Sequence, residues 1–237
     1  MTKILALDAS TDACSVALYN DGVATHIFEL AAKSHTQRLL PMVDEILRTA
    51  NCTLQDLDAI AYGRGPGSFT GLRICMGIVQ GLAFGANLPV IPISTLQAMA
   101  QGFLVDNPNT SLPLLVTLDA RMDEIYWGLF ESKQNPTALT DEFVMKPVDV
   151  CEQKVVVDLQ QQFIAIGPGW HYADLQKIIP AQLIQDVHPN AKDVLTLAVE
   201  AFKNGQAISI LDAQPVYLRD SVSWKKRERI RVNPIVS

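Results

Sequence analysis

The sequence predicts a two-lobed α/β fold, each lobe a mixed β-sheet flanked by helices, and three observations carry that expectation. Residues 1–106 read in the order β-β-β-α-β-α-β-α. A turn-rich break, Asp106-Asn107-Pro108-Asn109-Thr110, follows and sets the expected boundary between a first lobe, 1–106, and a less regular second lobe, 107–237. Beyond it the opening pattern starts again. The thirteen residues Leu7–Tyr19 can be laid on Leu118–Phe130 with five identities, and each copy is an apolar strand ending in Asp, a short turn and another strand.

Lys3–Ala9 reads as a buried strand, Cys14–Tyr19 as the next, and Val23–Glu29 as a third. Asp21-Gly22 between the last two supplies the positive φ angles of a tight hairpin. A helix is predicted over Thr36–Ala50, where Leu39, Leu40, Val43, Ile46 and Leu47 recur at helical spacing. Ala59–Gly63 is a strand, Thr70–Ala86 a second helix, Pro89–Ile93 a strand and Thr95–Phe103 a third helix. In the second half, Leu112–Asp119, Glu124–Ser132 and Phe163–Gly167 read as strands, and Ala191–Asn204 as an amphipathic helix closed by Gly205. Two similar lobes that open strand-turn-strand resemble the plan of the actin, hexokinase and Hsp70 (ASKHA) superfamily.

With 49% hydrophobic and 19% charged residues, the 237-residue chain can bury a real core and has no disordered or fibrous character. Its formal net charge is −6, and the segment Lys225–Arg231 alone holds five basic residues and one acidic one, so the remainder stands at −10. Such a body repels RNA, because phosphate neutralisation supplies most nucleic-acid affinity. The basic tail 225–237 reads as a solvated terminus. Cys14, Cys52, Cys75 and Cys151 form no C-x-x-C pair and are expected as reduced thiols of a cytoplasmic protein. The N-terminus is too short in apolar residues for a signal peptide. From Ile74 to Val105 no side chain is charged, but Gln80, Asn87, Pro89 and Pro92 interrupt the run, so it reads as helix, strand and helix of a buried core with no membrane span.

Asp8, Ser10 and Thr11 lie where ATP-binding members of the superfamily hold phosphate and metal, and are the weak nucleotide-binding candidates. The competing reading is a turn Asp bonded to its own backbone. The absence of glycine from this hairpin, and Arg121 with Met122 in the second copy, weigh against close approach of a phosphate. Gly63-Arg64-Gly65-Pro66-Gly67-Ser68 between a strand and a helix suggests a phosphate loop, yet no Lys follows the last Gly. The alternative is a tight turn with Ser68 or Thr70 as N-cap. The four histidines show no i, i+4 pair, no H-E-x-x-H occurs, and no G-x-S-x-G is present; no catalytic residue, metal ligand or cofactor is assigned.

The helix Thr70–Ala86 is apolar around most of its surface, with Arg73 its one charge, and Gly77, Gly81 and Gly85 recur every four residues. Each glycine costs about 1 kcal/mol against alanine in a helix interior, which is tolerable if something packs very close. That something is either the chain's own sheet and first helix or a helix of another chain.

Ile4-Leu5-Ala6-Leu7-Asp8-Ala9-Ser10-Thr11, Leu39-Leu40-Pro41, Gly65-Pro66-Gly67-Ser68-Phe69-Thr70-Gly71-Leu72-Arg73 and Pro215-Val216-Tyr217-Leu218-Arg219 resemble the TsaB (YeaZ) family of tRNA threonylcarbamoyladenosine biosynthesis. The resemblance spans the whole length and is strongest over residues 1–105. It implies a non-catalytic subunit acting with the paralogue TsaD and the ATPase TsaE in threonylcarbamoyl transfer to N6 of the tRNA adenosine beside the anticodon. It also implies a homodimer in isolation, and tRNA contact only through the complex. TsaD holds its metal through two His four apart, just after the strand matching Val90–Ile93; here Thr95 and Met99 stand at those positions, and neither suits such a metal. The implied partner interface is built from Leu39, Val43, Ile46 and Leu47 of the first helix and Arg73, Gly77, Gly81 and Gly85 of the second. A small-molecule kinase of the actin-like superfamily and an RNA-binding module remain the rival classes.

Overall fold

The computed structural model describes residues 2–30 and 35–219; the basic tail 225–237 lies outside them. Strands β1 (Lys3–Asp8), β2 (Ala13–Asn20) and β3 (Val23–Leu30) form an antiparallel meander. Asp21 and Gly22 turn β2 into β3 with φ of 49° and 96°, the left-handed pair that a twisted hairpin demands. Helix α1 (His35–Thr49) leads to β4 (Ala59–Gly65), α2 (Phe69–Ala86) to β5 (Val90–Ser94), and α3 (Thr95–Asp106) closes the first half. The helix ends follow their capping residues. Ser68 and Ser94 side chains accept from Gly71 N and Gln97 N at 3.3 and 3.1 Å, and Asn87 ends α2 in the left-handed region.

The second half contains β6 (Leu114–Arg121), β7 (Glu124–Phe130), β8 (Phe143–Met145), the short helices α4 (Pro147–Cys151) and α5 (Lys154–Val157), β9 (Ile164–Ile166), β10 (Gln182–Ile184) and α6 (Ala191–Lys203). Strands β8 and β10, three residues each, and the short helices are absent from the sequence expectation: runs this brief span too little chain to show a period.

The two five-stranded sheets have orders β3-β2-β1-β4-β5 and β10-β9-β6-β7-β8. Reversing the second order makes the correspondence plain. In each sheet the first strand lies centrally, antiparallel to the second and parallel to the fourth. The duplication sensed in thirteen residues is therefore a duplication of topology.

Helices α1 and α2 cover the outer face of the first sheet through Leu39, Met42, Val43, Cys75, Met76 and Val79. The last helix of the second half leaves its own sheet, and that of the first half lies between the two sheets, with Ala98 in the layer on the first. Val194, Leu195, Leu197 and Ala198 of α6 pack on Ile4, Ala6, Ala61 and Ile91 of the first sheet, while Leu96, Met99, Ala100 and Phe103 of α3 pack on Leu114, Val116 and Ile166 of the second. Each fully buried Leu, Val or Ile contributes about 1.5–3 kcal/mol, so these two helices join the halves through a shared apolar layer. The α6 stripe is legible from periodicity; the sheet it covers is not. All four cysteines are free thiols, as the sequence suggested. Among the described residues, helix α2 alone is long and apolar enough to cross a membrane, with mean hydropathy 1.3 over 18 residues, which corrects the reading that no such helix fits. Part of that apolarity is its core face on the first sheet.

Candidate functional site

The glycine segment and the first hairpin are one packed unit. Asp8 ends β1 fully buried, with Oδ1 accepting from Ser10 N at 3.1 Å and Ser10 Oγ at 2.9 Å. Its Oδ2 has no hydrogen-bond partner and lies against the α-carbon of Gly63. Burial pushes the Asp8 carboxyl up to about 6, with the two Ser10 bonds and the nearby His35 opposing the rise. A Cβ on Gly63 would overlap Asp8 Oδ2, one on Gly67 the Ser10 carbonyl oxygen, and one on Gly71 the Ala9 carbonyl oxygen. Ser68 N donates to that Ser10 oxygen at 2.6 Å. The glycines at 63, 67 and 71 thus form a seam that lets the Asp8–Ser10 backbone close on the loop. The turn reading is the one the geometry realises, with Ser68 as N-cap.

Asp8 points into the sheet and not into the space between the lobes, and the Ser10 hydroxyl is spent on Asp8. Thr11 Oγ1 accepts from Ala13 N at 3.3 Å, and the Thr11 carbonyl is bonded by His35 Nε2 at 2.7 Å. The signal available in the sequence was the four-residue spacing of Gly63, Gly67 and Gly71 opposite a short turn.

A cleft of about 410 Å³ does open between the two hairpins, lined by Ser10, Thr11, Asp12, Phe69, Arg121, Met122, Tyr126, Tyr217 and Arg219 among others. Its size suits a small ligand. Its charges are mutually satisfied: Arg121 reaches Asp119 at 2.9 Å and Asp12 at 3.6 Å, and Arg219 pairs with Glu124. A polyphosphate entering here meets two carboxylates, Asp12 and Asp119, and arginines already paired. The second hairpin is tight where the first is open, because Arg121, Met122 and Asp123 all carry positive φ, at 61°, 57° and 59°.

The expected interface residues divide sharply. Leu39, Val43, Ile46 and Leu47 are 0%, 2%, 3% and 9% exposed and belong to the chain's own core, so they are corrected from contact residues to supporting ones. A single apolar stripe on α1 has a single duty, and its own sheet takes it. By contrast Arg73, Gly77, Gly81 and Gly85 form one solvent-facing stripe of α2, and nothing lies within 4 Å of where a Cβ would sit on any of the three glycines. Phe84, 75% exposed, stands beside that stripe and was not singled out in the sequence. Arg73 stacks on Phe69, its guanidinium carbon 3.8 Å from the ring centroid.

Thr95 and Met99 are both buried, and Met99 is core between α3 and the second sheet. Among the described residues no three His, Cys, Asp or Glu gather into a metal-holding group.

Two five-stranded sheets of one topology, with α6 on the first and α3 between them, define a two-lobed, duplicated α/β protein with a cleft between its hairpins. Residues 22–226 match the family model described as TsaD: tRNA N6-adenosine threonylcarbamoyltransferase. The chain is 45% identical over 230 residues to the tRNA threonylcarbamoyladenosine biosynthesis protein TsaB of Escherichia coli K12, covering 94% of this chain and 97% of that one. It is 42% identical over 228 residues to the protein of the same name from Haemophilus influenzae, covering 94% and 96%. YeaZ from Pseudomonas aeruginosa superposes with a TM-score of 0.84 at 40% identity, over 92% of this chain and all of that one. The chain belongs to the TsaB family.

Proposed function

We propose that this protein is a non-catalytic, cytoplasmic subunit that supports a TsaD-type transferase and a TsaE-type ATPase in moving threonylcarbamoyl from its adenylate to N6 of the tRNA adenosine beside the anticodon. The observation that carries the reading is the fate of the two positions where the transferase has its metal-binding His pair. Thr95 and Met99 stand there, both sealed in the core, and Met99 packs against Leu114, Val116 and Ile166. A thioether and a hydroxyl are poor ligands for such a metal. The match to the transferase family model supports descent from a common two-lobed ancestor.

The solvent-facing stripe Arg73, Gly77, Gly81 and Gly85 is the proposed contact with the paralogue, and with a second copy of the chain when the paralogue is absent. Gly81→Leu is expected to weaken that association by roughly one to two decades, since overpacking a close contact costs about 1–3 kcal/mol. The free chain should melt no lower, because the added side chain meets open space and leucine is the better helix former. Affinity by titration calorimetry and melting temperature, measured on Gly77→Leu, Gly81→Leu and Gly85→Leu, separate the two. Normal binding by all three variants would remove the interface.

The purified chain alone is expected to show no tRNA modification and no ATP turnover, and Mg-ATP should leave its melting temperature unchanged. A rise in melting temperature with ATP would instead favour the kinase reading. Contact with tRNA is assigned to the assembled complex, since the body outside the segment Lys225–Arg231 stands at −10.

A further inference from the structure

We propose that the segment Ala213–Arg219 is a strap tying the exposed face of α2 to the second hairpin, so that events at that face set the order of the hairpin and the width of the interlobe cleft. The coupling to a partner rests on the α2 interface proposed above; the strap itself rests on geometry within this chain.

The strap is anchored at three points. Ala213 is buried in the core of the first lobe, and Val216 N donates to the Arg64 carbonyl at 2.7 Å. The Val216 carbonyl in turn lies 2.9 Å from where a Cβ on Gly65 would stand, and Gly65 takes φ of 103°. This is backbone against backbone, with no side chain to give way. Next, the Tyr217 ring packs on Phe69 with centroids 5.2 Å apart, and Arg73 Nε donates to Tyr217 Oη at 3.4 Å. Arg73 heads the stripe that continues through Gly77 and Gly81, so one guanidinium touches both the partner face and the strap. Finally, Arg219 crosses to the other lobe. It pairs with Glu124, donates to the Arg121 carbonyl at 3.2 Å and reaches Met122 Sδ at 3.2 Å.

The target of that last contact needs outside support. Three successive non-glycine residues in the left-handed region each cost about 1 kcal/mol or more, and Arg219 holds the carbonyl and side chains of that turn. Two residue steps from Tyr217 to Arg219 span at most about 7 Å, which leaves no slack between the two anchors. Displacing Arg73 therefore shifts Tyr217, and with it the clamp on the hairpin.

Hydrogen exchange of the full chain, followed over residues 118–126, tests this. Arg219→Ala, Tyr217→Ala and Arg73→Ala are each expected to speed exchange there by roughly five- to tenfold, and Arg73→Ala should add nothing in a Tyr217→Ala background. Gln80→Ala, on the same helix away from the strap, should leave it unchanged. Where Arg219→Ala does not fold, Arg219→Lys, which keeps the charge and loses the fork, takes its place. If Arg73→Ala leaves hairpin exchange within twofold of the parent, the strap does not transmit and the proposal is overturned. Adding the TsaD-type paralogue should change exchange over 118–126 in the parent and not in Tyr217→Ala. Paralogue bound to α2 with an unmoved hairpin also overturns the strap. Failure to bind the paralogue at all overturns the proposed function, while the Arg73 comparison still decides the strap.

Discussion

Gly67→Ala is expected to lower unfolding free energy by about 3 kcal/mol or more, the top of the usual range for overpacking. The obstacle is the Ser10 carbonyl, a backbone group fixed by the bond from Ser68 N, so the clash cannot be relieved by a rotamer change. Gly71→Ala meets the Ala9 carbonyl and should behave alike. Gly63→Ala meets a side chain, Asp8, and should cost somewhat less, since a carboxylate can turn where a peptide cannot. Gly81→Ala is the control. No atom lies within 4 Å of its Cβ position, so it should gain up to about 1 kcal/mol from helix propensity. Urea unfolding of the four variants checks the order. A Gly67→Ala protein as stable as the parent would show that the seam is not a packing constraint.

Stability is expected to fall as pH rises from about 4 to about 7, because two buried carboxyls hold their protons more tightly folded than unfolded. Burial raises Asp8 to about 6 and Asp193, at the start of α6, to about 7, from an ordinary 3.8. A folded-state pKa above the unfolded one means that the contribution is complete below about 3.8 and is lost as pH climbs through 6 and 7. For Asp8 the loss is on the order of 3 kcal/mol at its fullest. Asp8→Asn keeps an oxygen for the two Ser10 donors and removes the charge, so it should unfold later than the parent at pH 8 and match it near pH 4. Ion-paired surface carboxylates such as Glu29, held low by Arg38, act in the opposite sense, but exposed pairs are worth little. Comparing parent and variant at each pH cancels them. An Asp8→Asn protein whose stability runs parallel to the parent across this range would mean that Asp8 is ionised without cost.

Most of the fold was legible because its signals are local. Alternation and apolar runs marked the central strands, Asp21-Gly22 marked its hairpin, and Leu39, Val43, Ile46 and Leu47 marked α1. The repeat of Leu-Asp-Ala before each hairpin announced two copies of one topology. The candidate site was legible only in its residue types. The absence of a His pair at Thr95 and Met99 could be read directly, and so could the open spacing of Gly77, Gly81 and Gly85.

What the sequence determined by itself, then, is the longer elements and the duplication, both of which depend on neighbours within a few turns of chain. Tertiary structure alone decided where those elements point. Periodicity shows that a helix has an apolar face but not which surface will cover it, so α1 could be read as a partner surface although its own sheet buries it. The same limit hid the seat of α6 on the first sheet and of α3 between both sheets, the turn of Asp8 into the core against Gly63, and the reach of Arg219 across the cleft to Glu124. Each of these joins residues far apart in the chain, and such contacts are chosen by shape and burial after the local structure has formed, which no window of sequence contains.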